Sequence, residues 1–431
     1  SAIEKAESSQ EDANLIAKVV ASASEELANK VVEEVSKNST EENQTLSAHV
    51  LKAIVDSDSG KIDIINDDVK DTMIKQTIES AQNQQEGTGV QQSQDMTSIV
   101  SDIIVNSNTE TGSKMIEELN NSSTDTENDL SLKVISAISE KDTNKLNTLS
   151  ENNKEQIEKL TETAIKNADA SEESADLIAK VVANASDELV NKVVEEVSKN
   201  STEENQALSA KVLKSIVETN PDKIEILSAE NQVNLITQTV EAAKNQADGS
   251  STDDVDLTNT IAEIVTKSNT ATAAKMLESL DEVSTSLGNS KLSLSVVSNL
   301  TKQENYEEKM EELSSSSSIV EKNINNLVEK AVENASSEED LGLVSDIVEN
   351  TKGTIADKII DSANKNSSNK KKISEIIVKV VEKNPEKAIE IIEKNDDTNN
   401  ILNEIKTKIE NGDAISTDDF EDVFNTDVTP N

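Results

Sequence analysis

Residues Leu15–Val55 read LIAKVVASASEELANKVVEEVSKNSTEENQTLSAHVLKAIV, and residues Leu177–Val217 read LIAKVVANASDELVNKVVEEVSKNSTEENQALSAKVLKSIV. These 41-residue stretches differ at six positions. Self-similarity this close marks a repeat array, in which each unit buries its apolar face against its neighbours. The fold question thereby becomes one-dimensional. The repeat alone discloses no biochemical activity.

A weaker echo lies between the two stretches. IVSDIIVNSNTETGSKMIEEL, opening at Ile99, lies over Leu15–Val35 without gaps at an offset of 84, and LSLKVISAIS from Leu130 lies over LSAHVLKAIV from Leu46. Further copies begin near Thr260 (TIAEIVTKSNTATAAKMLESL) and Leu343 (LVSDIVENTKGTIADKIIDSA). The reading is five copies of a roughly 80-residue unit, at residues 13–97, 98–174, 175–256, 257–338 and 339–411. A lead-in of residues 1–12 precedes them and an acidic tail of residues 412–431 follows.

Each unit divides into two helical hairpins. In the first, Leu15, Ile16, Val19 and Val20 share one helix face, and Leu27, Val31, Val32 and Val35 share another. Leu46, Val50, Leu51, Ile54 and Val55 follow, then Val69, Met73, Ile74 and Ile78, with a short extra turn over Lys61 to Ile65. Ser24 with Glu25 and Glu26 forms an N-cap with an acidic first turn, and Ser39-Thr40-Glu41-Glu42 reads as another. Pro221 and Pro385, each after Asn, suit a first helical position. A β reading is poor: alternation is scarce, and nine Gly and three Pro in 431 residues are too few for the turns of a sandwich or barrel. The expected fold is therefore all-α, a solenoid of short amphipathic helices, about twenty in number. Separate helical bundles on linkers are the alternative. A coiled coil is disfavoured because breakers interrupt every heptad run.

Apolar residues make up 34% of the chain and net charge is −44, which on composition alone points to disorder. The regular spacing of the apolar residues argues for a thin aliphatic core instead. Every basic residue apart from one His is Lys, and the abundance of Asn, Ile and Lys suggests AT-rich coding. No run of 18 apolar residues exists, so no membrane insertion is expected. The acidity disfavours nucleic acid and favours cations or basic proteins as partners. The start at Ser1 suggests a removed leader and a location outside the cell or at its surface.

Candidate chemistry is thin. The one histidine, His49, is replaced by Lys211 in the near-identical copy, so it reads as a solvated helix position. Asp56-Ser57-Asp58-Ser59-Gly60-Lys61-Ile62-Asp63 resembles a calcium loop, but its Gly is misplaced and the closing Glu is missing, so it reads as a helix–helix turn. The pairs Glu33/Glu34 and Glu195/Glu196 recur beside valines and read as solvated faces rather than acid/base pairs. Asn38, Asn43, Asn184, Asn200 and Asn334 head glycosylation sequons. No catalytic residue, metal ligand or cofactor site is expected. The tail carries both phenylalanines of the chain, Phe420 and Phe424, four residues apart. It reads as a disordered acidic tail or as a docking peptide for a neighbouring subunit, and these two residues are the candidate assembly contact. The resulting expectation is a non-enzymatic structural subunit that polymerises head to tail into a filament, sheath or surface layer, so that removing residues 412–431 abolishes assembly. The alternative is a soluble acidic scaffold that binds a basic protein.

Overall fold

The computed structural model describes residues 9–39, 45–87, 95–123, 129–202, 205–250, 255–287, 290–316, 337–351, 370–395 and 400–420, with isolated positions 6, 43, 326–327 and 335. Among these residues every regular element is an α- or 3-10 helix and no strand forms. The chain is all-α, consistent with an α-solenoid. It divides into two compact units, Ser1–Leu235 and Ile236–Asn431.

The first unit holds α1 (Gln10–Ser22), α2 (Glu25–Asn38), α3 (Leu46–Ser57), α4 (Asp67–Gln85), α5 (Met96–Asn106), α6 (Thr109–Ser123), α7 (Leu130–Lys141), α8 (Thr143–Asn152), α9 (Lys154–Lys166), α10 (Glu172–Asn184), α11 (Asp187–Asn200) and α12 (Leu208–Thr219). The next helix, α13 (Ala229–Ala247), spans the boundary. Packing follows two rows. Helices α1, α3, α5, α7, α10 and α12 stack side by side in one row, and α2, α4, α6, α9 and α11 stack in the other. Helices α1, α3, α5, α7 and α10 also pack on the row-two helix that follows each, with α8 wedged between α7 and α9. The second unit holds α14 (Leu257–Lys267), α15 (Thr270–Leu287), α16 (Ser290–Thr301), α17 (Tyr306–Ser316), α18 (Glu338–Asn350), α19 (Lys370–Lys383), α20 (Pro385–Asn395) and α21 (Asn400–Asn411). Its α14, α16, α18 and α19 stack in the same manner.

Local sequence explains these helices. Ser9 accepts from the Asp12 N–H at 3.1 Å, and Ser24 from the Leu27 N–H at 3.4 Å, so short hydroxyl caps start α1 and α2. Asp95, Asp142, Ser171 and Asp256 do the same for α5, α8, α10 and α14. Ser337 and Asp340 form a reciprocal capping box on α18. Gly87, Gly249 and Gly412 sit at φ of 67°, 73° and 74° just past α4, α13 and α21, where only a residue without Cβ reverses the chain at little cost. Pro221 opens the 3-10 helix Pro221–Ile224 and Pro385 opens α20, as their spacing predicts. The short extra turn is the 3-10 helix Ser59–Ile64. Ser39 departs from its expected role. It follows the end of α2, its N–H donates to the Val35 carbonyl at 3.0 Å, and its hydroxyl meets that of Ser47 at 2.7 Å. Helix α3 starts later, after Thr45.

The core is aliphatic. Ala13, Ile16, Ala17 and Val20 of α1 and Ala28, Val31, Val32 and Val35 of α2 are buried at helical spacing. Each fully buried Val, Leu or Ile contributes about 1.5–3 kcal/mol, so helices this short gain their stability from neighbours.

Candidate interaction surface

Among the described residues, hydrogen bonds join each hairpin to the next one along the chain, some 35 to 41 residues away. Asn29 Nδ2 donates to the Ile64 carbonyl at 2.9 Å while its Oδ1 accepts from the Asn66 N–H. In the copy, Asn191 Nδ2 donates to the Ile226 carbonyl at 3.2 Å and its Oδ1 accepts from the Ser228 N–H at 2.7 Å. A single amide thus brackets the turn of the following hairpin, matching its donor and its acceptor at once. Asn38 and Asn43 both donate to the Ala6 carbonyl, and Asn200 and Asn205 both donate to the Ala168 carbonyl. The asparagines attributed to coding bias thus do structural work in the linkers.

Lysines form a second ladder. Lys145, Lys223 and Lys309 reach back to the carbonyls of Ser107, Ala185 and Ser268, the residues that close α5, α10 and α14. A cation at a helix C-terminus complements its dipole and its unpaired carbonyls. Burial holds Lys145 below its ordinary pKa against the pull of Asp142. A third line runs along row one. Asp102 on α5 pairs with Lys52 on α3 at 3.4 Å and Lys141 on α7 at 2.7 Å. In the second unit Asp346 on α18 pairs with Lys302 at 3.1 Å and with Lys383. Burial raises the Asp346 pKa, but the hydrogen bonds from Lys383 and Lys302 outweigh it and leave the group lowered.

The residues singled out in the sequence do not converge. His49 is only 4% exposed, because α3 is flanked by α1 and α5; Lys211 is buried as well and donates to the Ala170 carbonyl. Both correct the expectation of a solvated position: a lysine there reaches a linker carbonyl rather than water. Asp56 accepts from Lys52 and Asn106, Asp58 from the Gly60 N–H, and Asp63 from Asn108, so the calcium-like loop spends its carboxylates on separate partners. Among the described residues no group of three or more His, Cys, Asp or Glu could hold a metal, and no helix is long and apolar enough to cross a membrane. Glu33 and Glu34 are solvated and pair with Lys37 at 2.7 and 3.1 Å. Glu196 instead is buried and accepts from Lys192 and Lys199 at 2.7 and 2.8 Å. The Nδ2 atoms of Asn38, Asn43, Asn184 and Asn200, which a glycan would need, all donate to backbone carbonyls; Asn334 lies outside the described residues. Phe420 closes the 3-10 helix Thr417–Phe420, which packs on α19 of the same unit. The Phe420 side chain and Phe424 lie outside the described residues.

One surface was not singled out by the sequence. Leu15, Val19 and Leu27 are 54%, 46% and 50% exposed on α1 and α2. Their counterparts in the near-identical copy are Leu177, Val181 and Leu189. Leu177 is half-buried and the other two are each 2% exposed, because α7 and α9 pack on α10 and α11. The same three positions are thus more open on the first hairpin than on its near-identical copy.

No family model and no curated protein sequence matches this chain. An engineered protein of known crystal structure is similar at 14% identity over 93% of each chain, with a TM-score of 0.28.

Proposed function

We propose that this chain is a non-enzymatic structural subunit, built as five helical repeats of roughly 80 residues, that associates end to end into a filament, sheath or surface layer outside the cell or at its surface. The observation that carries the reading is the apolar face of α1 and α2, open on the first hairpin and covered on its near-identical copy. A heterologous contact at such a face, repeated from subunit to subunit, gives open fibres unless it closes into a ring. The asparagine and lysine contacts that join neighbouring hairpins support the same reading.

Negative-stain electron microscopy of the purified chain over a concentration series, with and without calcium and added salt, tests this. Filaments, sheets or rings that grow with concentration are the expected result. Isolated particles under every condition overturn it. A second reading is favoured by the net charge of −44: an acidic scaffold that binds a basic protein. The two differ in the sign of their salt response. Screening strengthens association between like-charged subunits and weakens capture of a basic partner.

A further inference from the structure

We propose that Asn411-Gly412 is a self-modification site: the Gly412 nitrogen closes on the Asn411 side chain with loss of ammonia, and the product frees the turn Thr417–Phe420 from α19.

Three helices end on the same backbone device and differ in the residue before the glycine. Gly87, Gly249 and Gly412 adopt φ of 67°, 73° and 74° after α4, α13 and α21. Their N–H groups donate to the carbonyls of Gln84, Gln246 and Ile409 at 3.2, 3.0 and 3.0 Å. Ser250 and Asp413 then donate to Asn245 and Lys408 at 2.8 and 2.9 Å, the longer bond of a Schellman cap. The preceding residues are Glu86, Asp248 and Asn411. Glu86 and Asp248 present carboxylates, which resist nucleophilic attack and have no amine to lose. Asn411 presents an amide, and Asn-Gly occurs nowhere else in the chain.

The Gly412 nitrogen attacks Asn411 Cγ. The N–Cγ bond forms, the Cγ–Nδ2 bond breaks, and Nδ2 leaves as ammonia with the proton released by the glycine nitrogen. Water then opens the cyclic imide at either carbonyl. One opening leaves aspartate; the other leaves isoaspartate, with the chain rerouted through Cβ. Water is the only co-reactant. Glycine has no side chain to crowd the attack. The Asn411 side chain is exposed, and nothing lies within 4 Å of where a Cβ on Gly412 would stand, so no neighbour blocks the approach. The cap itself is the gate. While the Gly412 N–H is held on Ile409 the nitrogen is not free, so the reaction runs through the opened last turn of α21.

Asparagines before serine are held at both ends instead. Asn38, Asn106 and Asn200 donate their side-chain amides to the Ala6 carbonyl, Asp56 and the Ala168 carbonyl. The N–H groups that follow them, of Ser39, Ser107 and Ser201, donate to Val35, Ile103 and Val197.

The product puts a negative charge at the C-terminus of α21, where the helix dipole is already negative. The rerouted backbone of isoaspartate no longer places the Gly412 and Asp413 N–H groups on Ile409 and Lys408. Lys408 Nζ also pairs with Asp419, whose carboxylate accepts from the Ser416 N–H at 2.8 Å and closes the turn that packs on α19. Loss of the cap therefore loosens that turn irreversibly, at a rate set by how often α21 frays.

The experiment ages full-length wild type and Asn411→Gln in mildly alkaline heavy-oxygen water, folded and urea-unfolded in parallel. Peptide mass mapping with fragmentation that distinguishes isoaspartate reads the products. Asn411 is expected to convert before every other asparagine, into isoaspartate and aspartate that carry the heavy oxygen. Unfolding is expected to speed its conversion about two- to ten-fold, the worth of one helix cap. Hydrogen exchange at the Asp413 and Asp419 amides is expected to quicken in aged wild type and to stay unchanged in aged Asn411→Gln. Conversion of Asn38, Asn106 or Asn200 ahead of Asn411, or no conversion in the folded protein, overturns the proposal. Equal rates in folded and unfolded chains overturn the gate, and unchanged exchange in fully converted protein overturns the release of the turn.

Discussion

Helices α1–α2 and α10–α11 are nearly the same sequence in two settings, and the difference separates what a repeat does by itself from what its neighbour does for it. Both copies place Ser at the N-cap position, bury the same inner valines and bracket the following turn with Asn29 or Asn191. Those contacts point forward along the chain, and both copies have a following hairpin. They part on the backward side. Val181, Leu189 and Glu196 are covered by α7 and α9, while Val19, Leu27 and Glu34 are not. Forward contacts should therefore respond equally to substitution in the two copies, and the contacts that α7 and α9 supply unequally.

The largest inequality is expected for Val181→Asp against Val19→Asp. A lone carboxylate at a 2% exposed site has no cation aligned to it, so the third-copy variant should lose about 3–5 kcal/mol. The first-copy variant sits at a 46% exposed site and should stay within about 0.5 kcal/mol of wild type. Urea unfolding followed by circular dichroism, at a protein concentration low enough to keep both monomeric, measures the gap. Equal losses would mean that the first face is covered after all.

Asn191→Ala and Asn29→Ala should instead lose similar amounts, about 1–3 kcal/mol each, because each strands a turn carbonyl and a turn N–H. Hydrogen exchange at Asn66 and Ser228 gives a local readout: both amides should exchange faster in the matching variant. A large disparity between the two variants would break the forward–backward rule.

How much of this was legible in the sequence follows from the same distinction. The spacing of Leu15, Ile16, Val19 and Val20 gives the helix and its wide apolar stripe. The stripe is wide because a row-one helix has two neighbours, and spacing cannot say which of them is present. Ile16 and Val20 face forward and are buried, whereas Leu15 and Val19 face backward and are open. Caps such as Ser24 were legible because capping is local, within three residues. The roles of Asn29, Lys223 and Lys211 were not, because their partners lie 35 to 41 residues away. Lys211 also misled by its type: a lysine opposite His49 suggests solvent, yet its long stem reaches a linker carbonyl from a buried position.

Backbone reversal offers a smaller effect with opposite signs in two places. Gly249→Ala and Gly87→Ala both force a side chain to φ near 70° and should each lose about 1–2 kcal/mol, with nothing within 4 Å to add a clash. Gly342 lies inside α18 without positive φ and its added methyl also meets nothing, so Gly342→Ala should gain about 0.5–1 kcal/mol. Thermal unfolding of the three variants checks both signs. A loss at Gly342 would mean that α18 bends there.

The smallest expected difference concerns acid. Burial raises the Glu196 pKa, but hydrogen bonds from Lys192 and Lys199 outweigh it and leave the group below its ordinary 4.5. A carboxylate with a lowered folded pKa contributes stability that is fully present above its unfolded value and is lost as pH falls through its folded value. That contribution should fade below about pH 4.5 and amount to no more than about 1 kcal/mol, given the partial exposure of its lysines. Self-repulsion acts with the opposite sign. With a net charge of −44, protonating unpaired carboxylates between pH 7 and about 5 relieves repulsion and raises stability before the paired groups are lost. The urea midpoint should therefore pass through a maximum on acidification, and 0.5 M salt should flatten its rising part by screening. Glu196→Gln should soften the fall on the acid side of that maximum. An acid limb unchanged from wild type would show that the pairing of Glu196 with Lys192 and Lys199 adds nothing to the stability of α11.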